Sequence, residues 1–395
     1  MSSGEASGRG PTPSRRKESD GASAVRWLLR LAVLAAVVVP PLVVDGSWLR
    51  VGQYVMIGAV GAIGLTLLIG QAGQLSLAHA FFLFAGGAAY CVLAGGPDVD
   101  GTRDLAGFGL PPLLAAAGAV VVTAALGGAF APVAGRVRGI YLGVASLALI
   151  YLGLYLGQEL TSVTGGTASG RSPADLQVLG FSFVRNDPEL TVLGVPLARD
   201  ERLWYLFAAL TAAAYALAHG AVRSRPGRSW RAIRDNEAAA AALGIPVRRV
   251  RAGVFAVSSA YAGLAGVMTV VWFDLLKPDE NEFVGSYSIE VSIAFLAMVV
   301  IGGLGSVPGA VAGAVLVQGL PKALELTAGR SGLFGGDVGA GAVTPVVFTA
   351  FVFGAAIIAV VLFEPGGLAA LGRRIPVARS TRSSRPARSS QPKGH

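Results

Sequence analysis

The sequence holds one cysteine, Cys91, and three histidines in 395 residues. A single thiol excludes an internal disulfide and a cysteine-built metal site. The histidines at 79, 219 and 395 are too far apart in sequence to argue for a metal, and no cofactor is indicated. Charge is also scarce. Only 14% of the residues are charged, against about 25% in a soluble domain. Lysine occurs four times, against 28 arginines. No Gly-x4-Gly-Lys-Ser/Thr loop, His-Glu-x-x-His or Gly-x-Ser-x-Gly is present, so no catalytic set can be assembled from motifs. If nucleotide energy is used, another chain binds the nucleotide. The net charge of +9 does not point to nucleic acid, because most of the basic residues sit at the ends of apolar runs and in the tails.

What the chain has in abundance is long apolar runs. Hydrophobic residues make up 53% of it. A helix needs about 20 apolar residues to cross the hydrocarbon of a bilayer. By that ruler the sequence predicts an all-α polytopic membrane protein of about ten spans, near 27–44, 51–69, 75–93, 110–130, 140–157, 203–219, 252–273, 289–303, 307–326 and 344–363. The first run is read as a retained span and not a secretory signal, since no small-x-small site with a polar exit follows it. The eighth and ninth runs are parted only by a short glycine-rich segment.

Charge sets the orientation. With the N-terminus inside, the inner segments carry 22 of the 32 basic residues, as the preference of arginine and lysine for cytoplasmic loops requires. Both termini are therefore expected in the cytoplasm. Residues 1–26 and 373–395 read as disordered polar tails. Between them, 27–372 form the transmembrane domain, with an extracytoplasmic loop at 158–202 and a cytoplasmic loop at 220–251. The basic end of the C-terminal tail is either solvated or in contact with anionic membrane lipid.

The 220–251 loop is the most distinctive segment. It holds Arg223, Arg225, Arg228, Arg231, Arg234, Arg248, Arg249 and Arg251. A charge at the centre of a bilayer helix costs ~2.5–3.5 kcal/mol on insertion scales, so this segment lies outside the hydrocarbon. Within it, 229–243 is rich in Ala, Arg and Glu and is expected to form one helix, stopped by Gly244 and Pro246. Such a helix on the cytoplasmic face is a docking element for a partner.

Polar residues in apolar context mark candidate sites. Gln71, Gln74, Ser76 and His79 cluster between the second and third spans. Polar side chains at membrane depth face protein or water. The spacing of Ser76 and His79 puts them on one helix face. They line a solute path, or they join helices by hydrogen bonds. Thr164, Gly165 and Gly166 form a turn whose hydroxyl and amides suit a carboxylate, or an ordinary turn. Glu290 stands at the mouth of the eighth span, placed to meet an ammonium group or a partner's arginine, or simply solvated. The many glycines within spans, with Gly309 to Gly313 as a small-xxx-small face, suit close helix packing.

Several ordered segments together resemble a known family. GLTLLIGQAGQLSLAHAFFLFAGGAAY, RGIYLGVASLAL, TGGT, RSWRAIRDNEAAAAALGIPVRRVRAGVFAVSSAYAGLAGVM and SIEVSIAFLAMVVIGGLGSVPGAVAGAVL are similar, in that order, to the permease subunits of branched-chain amino acid ABC importers of the LivM type. FEPGGLAAL resembles the closing Pro-x-Gly-Leu. The resemblance spans about 51–371. It implies ABC importer permease architecture in a bacterial cytoplasmic membrane. It implies that the arginine loop is an ATPase-coupling segment, with Arg231, Arg234, Glu237, Ala238, Ala239 and Gly244 at the docking helix and its Glu-Ala-Ala…Gly pattern. Gln71, Gln74, Ser76, His79, Thr164, Gly165, Gly166 and Glu290 are then the translocation-path candidates. The implied partners are a second permease, two ATP-binding subunits and an extracytoplasmic solute-binding protein. The implied solutes are branched-chain or other amino acids, urea or short amides. Two departures stand out: Ala78 where the family often has Gly, and TGGTASG in place of the usual continuation of the TGG turn. The spacing to Gly244 is also one residue longer than the common form. A stand-alone secondary transporter or channel is the alternative from a different class; it calls for ionisable residues deep within spans.

Overall fold

The computed structural model describes residues 35–96, 105–137, 140–178, 181–183, 191–192, 195–196, 198–278, 287–330 and parts of 351–370. The expected tails, residues 27–34 of the first expected span and most of the tenth lie outside the described residues. The described chain is mostly helical. Helix α1 (Gly46–Leu65) runs on into a π-helical turn, Thr66–Gln71. Then follow α2 (His79–Ala94), α3 (Pro112–Arg136), α4 (Ile140–Glu159) and α5 (Arg199–Arg223). Two short helices, α6 (Arg225–Asp235) and α7 (Glu237–Ala242), lead into α8 (Val247–Phe273). The last are α9 (Ile289–Gly302), α10 (Val307–Ala314), a second π turn at Val315–Gly319, and α11 (Leu320–Arg330).

Among the described residues, six helical stretches are long and apolar enough to cross a membrane: Gly46–Gln71, Pro112–Ala134, Tyr141–Glu159, Arg199–Arg223, Val247–Phe273 and Val307–Thr327. His79–Ala94 and Ile289–Gly302 are shorter apolar helices. These eight fall on the second to ninth ranges expected from hydropathy. At 1.5 Å per residue α2 is only about 24 Å long, because its start is delayed. Gly73 adopts a left-handed φ of 68° and the chain stays non-helical until Ala78. Ser76 therefore lies in an irregular stretch and not on the face of a helix with His79. The other departure from an all-helical chain is a pair of minimal antiparallel ladders, Gln177–Val178 with Phe181–Ser182 and Thr191–Val192 with Val195–Pro196.

Two helices form the centre. The Gly46–Gln71 and Val247–Phe273 stretches are 72% and 78% buried over their apolar windows, where the other spanning-length helices reach at most 39%. Within those windows both are apolar almost all round, as a helix enclosed by others must be. Helix α8 packs against α3, α2 and α1; α1 also packs against α5, α10 and α9. Lipid tails are as apolar as leucine, so packing shape and not water exclusion decides such contacts. Here the glycines act as paired surfaces. A Cβ on Gly86 would stand 2.4 Å from the carbonyl oxygen of Gly263, and one on Gly266 would stand 1.9 Å from that of Leu83. Helices α2 and α8 thus cross backbone on backbone. The same holds for α9 and α10, where Cβ atoms on Gly309 and Gly313 would meet the carbonyls of Gly302 and Met298 at 2.2 and 1.9 Å. The small-xxx-small face expected at Gly309 to Gly313 is therefore pressed onto α9.

Candidate functional site

The arginine loop folds back onto one end of the bundle. Helix α6 buries Gly227, Trp230 and Ile233 and turns its arginines outward. Two of them return to the bundle. Arg231 donates from Nη1 to the carbonyl of Val222 at 2.9 Å and to Oε1 of Gln71 at 3.2 Å. Arg234 donates to the carbonyl of Gly70. Gln71 is buried and passes the connection on, its Nε2 donating to the carbonyl of Gly305 at 2.7 Å. One hydrogen-bonded chain therefore links the loop, the π turn that ends α1, and the turn between α9 and α10. Sequence placed Arg231 and Gln71 in two separate candidate sites; the fold brings them together.

The expected single helix over 229–243 is two helices. Asn236 is extended (φ −158°, ψ 106°) and its side chain accepts from the amide of Ala239 at 3.0 Å. It is an N-cap, which favours a fresh start over continuation. Gly244, at φ 81°, closes α7, its amide donating to Ala241 and that of Ile245 to Ala240. That is a Schellman end, where glycine carries the left-handed residue without strain. Glu237 accepts from Arg251 at 2.8 Å, which ties the start of α7 to α8. Ala240 is buried against the chain, and the other face of α7 turns outward: Ala238, Ala239, Ala241 and Ala242 are exposed, and Leu243 is 81% exposed. An apolar tip of small residues is left uncovered among arginines.

The membrane-depth candidates gather at the crossing of α1, α2 and α9. His79 is buried, its ring 4.8 Å from that of Phe295 and against the backbone of Gly61. Its Nε2 and both polar atoms of the buried Gln74 have no hydrogen-bond partner among the described residues. Ser76 accepts from the amide of Ala78 at 3.3 Å. Phe295 has a second neighbour. It lines a cavity of about 220 Å³ together with Tyr54, Thr269, Ser288, Glu290 and Gln318. Glu290 is exposed at the start of α9, so it marks the mouth. Phe295 closes the inner side, and His79 lies beyond it. A larger cavity of about 560 Å³ shares Tyr54 and Phe273 with this one and is rimmed by Arg50, Asp200, Lys322 and Glu325. Arg50 pairs with Asp200 at 3.1 Å and Lys322 with Glu325 at 2.9 Å. Gln318 was visible in sequence as a polar residue in an apolar run. Phe295 and Tyr54 gave no such signal, since an aromatic in an apolar run looks like packing.

The Thr164 turn lies apart from these groups. Thr164 is buried; its hydroxyl donates to the carbonyl of Gly157 at 2.7 Å and accepts from the amide of Gly166 at 3.2 Å. The amide of Gly165 bonds to Thr161. These donors are occupied within the turn. Gly165 and Gly166 take φ of 75° and 78°. The buried Arg171 donates to the carbonyl of Val163 at 3.2 Å, and burial lowers its guanidinium from its ordinary value.

A bundle built around two enclosed apolar helices, with six of spanning length and a charged loop folded under one end, defines a multi-pass membrane protein. The family model described as "Branched-chain amino acid transport system / permease component" matches residues 48–361, and the chain belongs to that family of non-catalytic bacterial membrane permeases. It is 26% identical over 307 residues to the high-affinity branched-chain amino acid transport system permease protein LivM of Salmonella typhimurium and of Escherichia coli K12, covering 75% of this chain and 68% of each relative. It is 28% identical over 277 residues to LivH of Escherichia coli K12, covering 68% of this chain and 81% of that protein. No solved structure matches the chain.

Proposed function

We propose that this chain is the permease subunit of an ATP-driven importer. It forms the path for branched-chain or other amino acids and is driven through the α6–α7 loop by separate ATP-binding subunits. The observation that carries this reading is the loop itself. Its α7 tip is uncovered, while Arg231 and Arg234 bind its other side to Gln71, Gly70 and, through Gln71, Gly305. A force applied at Leu243 reaches two breaks in the bundle without crossing solvent. The ten-span topology with both termini in the cytoplasm, the 220–251 loop inside and the 158–202 loop outside belong to this reading. So do a second permease and an extracytoplasmic solute-binding protein.

The path runs from the 560 Å³ cavity through the 220 Å³ one to Phe295, and then by His79 and Gln74 toward Gln71. The inner cavity is small against the ~300–1,000 Å³ of drug-sized ligand sites, which suits a solute of few heavy atoms. Glu290 at its mouth is placed for an ammonium group. One observation favours a second reading. The unpartnered Nε2 of buried His79 is the kind of ionisable group that a stand-alone secondary transporter uses.

Co-purification separates the two. Wild type and Leu243→Asp would be isolated from native membranes and their partners identified by mass spectrometry. The importer reading expects ATP-binding subunits with wild type and their loss from the variant. A wild type that purifies alone and moves solute without nucleotide gives the second reading its case.

A further inference from the structure

A third cavity, of about 590 Å³, lies beside the arginine loop. Three elements wall it: Pro132 and Arg136 at the end of α3, Glu237 and Ala241 of α7, and Arg248 and Arg251 at the start of α8. Three guanidinium groups face it with one carboxylate. That carboxylate is engaged with Arg251 at 2.8 Å. Arg136 and Arg248 are exposed and have no ion pair or hydrogen bond among the described residues. Two cationic groups are thus left over, facing a pocket of headgroup size.

The helix leading to this pocket has one apolar face that nothing in the described chain covers. On α3, Leu113, Leu114, Val121, Val122, Leu126 and Val133 are 39–66% exposed, while Ala115, Ala119, Thr123 and Ala131 are buried. The exposed positions recur at helical spacing, so they form one strip along the helix. That strip ends at Pro132 and Val133, on the last turns before Arg136. Acyl chains lie along such a strip, and basic pockets between membrane helices on the cytoplasmic side take anionic lipid headgroups.

We infer that this cavity binds the phosphate headgroup of an anionic phospholipid, with Arg136 and Arg248 as its ligands and the acyl chains against α3. The site rests on the placement of the arginine loop at the cytoplasmic membrane face in the reading above, but not on the ATP-binding subunits. Glu237 borders the cavity, so a bound headgroup sits against the start of α7 and competes for Arg251.

The test is native mass spectrometry of the full-length chain, with whatever subunits come with it, titrated with phosphatidylglycerol or phosphatidylcholine. Wild type is expected to retain phosphatidylglycerol in preference to phosphatidylcholine. R136Q/R248Q is expected to hold it about thirtyfold more weakly, the contribution of two arginines near a lipid surface converted to an affinity ratio. R136K/R248K keeps both charges and restores most of the retention. Millimolar inorganic phosphate leaves the lipid in place. Equal retention by wild type and R136Q/R248Q overturns the site. So does equal retention of the two lipids, and so does displacement by inorganic phosphate, which would make it a soluble-anion site. If ATP-binding subunits fail to co-purify while the headgroup preference depends on both arginines, the importer reading falls and the lipid site stands. The reverse pattern removes the lipid site alone.

Discussion

At the scale of single residues, backbone contact between helices is what this fold tolerates least to lose. Gly266 and Gly253 both lie in α8, yet their surroundings differ. A Cβ on Gly266 would meet the Leu83 carbonyl at 1.9 Å, whereas one on Gly253 meets nothing within 4 Å. Gly266→Ala is expected to force α2 and α8 apart and cost ~1–3 kcal/mol, the usual range for overpacking. Gly253→Ala is expected to be neutral or to stabilise by up to about 1 kcal/mol through helix propensity. Thermal unfolding of the two variants in one detergent checks this; equal melting temperatures would show that the α2–α8 crossing has slack. Phe295 is the residue-scale feature with functional weight. A Cβ on Gly61 would stand 2.4 Å from its ring, so the ring is held in place against α1. The set of in-span glycines was legible in the sequence, because small residues in apolar runs are conspicuous. Which glycine meets which carbonyl was not, because the α2–α8 contacts join residues far apart in the chain and the α9–α10 contacts depend on how the turn between those helices folds.

At the scale of elements, hydropathy located the second to ninth apolar helices well, since length and composition alone decide what fits a bilayer. It did worse where a polar side chain competes with the helix. Asn236 was read as part of one helix, but its side chain satisfies the Ala239 amide and starts a new one. The clue was present: Asn followed by Glu at a helix start suits both the cap and the helix dipole. Composition over 229–243 concealed it. Asn236→Ala is expected to remove ~1 kcal/mol of cap stabilisation and loosen the start of α7. The readout is amide hydrogen exchange over 237–243. Faster exchange there, with 225–233 unchanged, is the expected result. Unaltered exchange would mean that the Arg251–Glu237 pair alone holds α7. The late start of α2 has a similar cause, with Gly73 and the Ser76 hydroxyl supplying the backbone with local alternatives.

At the scale of the whole molecule, the proposed importer requires that a loop outside the bundle move a path inside it. Gln71 is the hinge of the answer. Its amide nitrogen donates to the Gly305 carbonyl and its amide oxygen accepts from Arg231, so a single side chain ties together segments that lie 234 and 160 residues from it in sequence. The sequence offered Gln71 as a polar residue near the inner interface and offered Arg231 as a docking residue. Their junction was out of reach of any local pattern. Gln71→Leu keeps the approximate volume and removes both bonds, leaving α7 and its exposed Leu243 untouched. Docking of ATP-binding subunits is therefore expected to survive, while transmission to the path is lost. Coupling between sites is typically worth 1–3 kcal/mol, a factor of about 5 to 150. Amino acid uptake per ATP hydrolysed, measured in proteoliposomes with the co-purified complex, is expected to fall within that range while the amount of ATP-binding subunit recovered stays the same. Loss of the subunits themselves would instead place Gln71 in the support of the docking tip. Unchanged uptake per ATP would show that the Arg234–Gly70 contact transmits the motion without it.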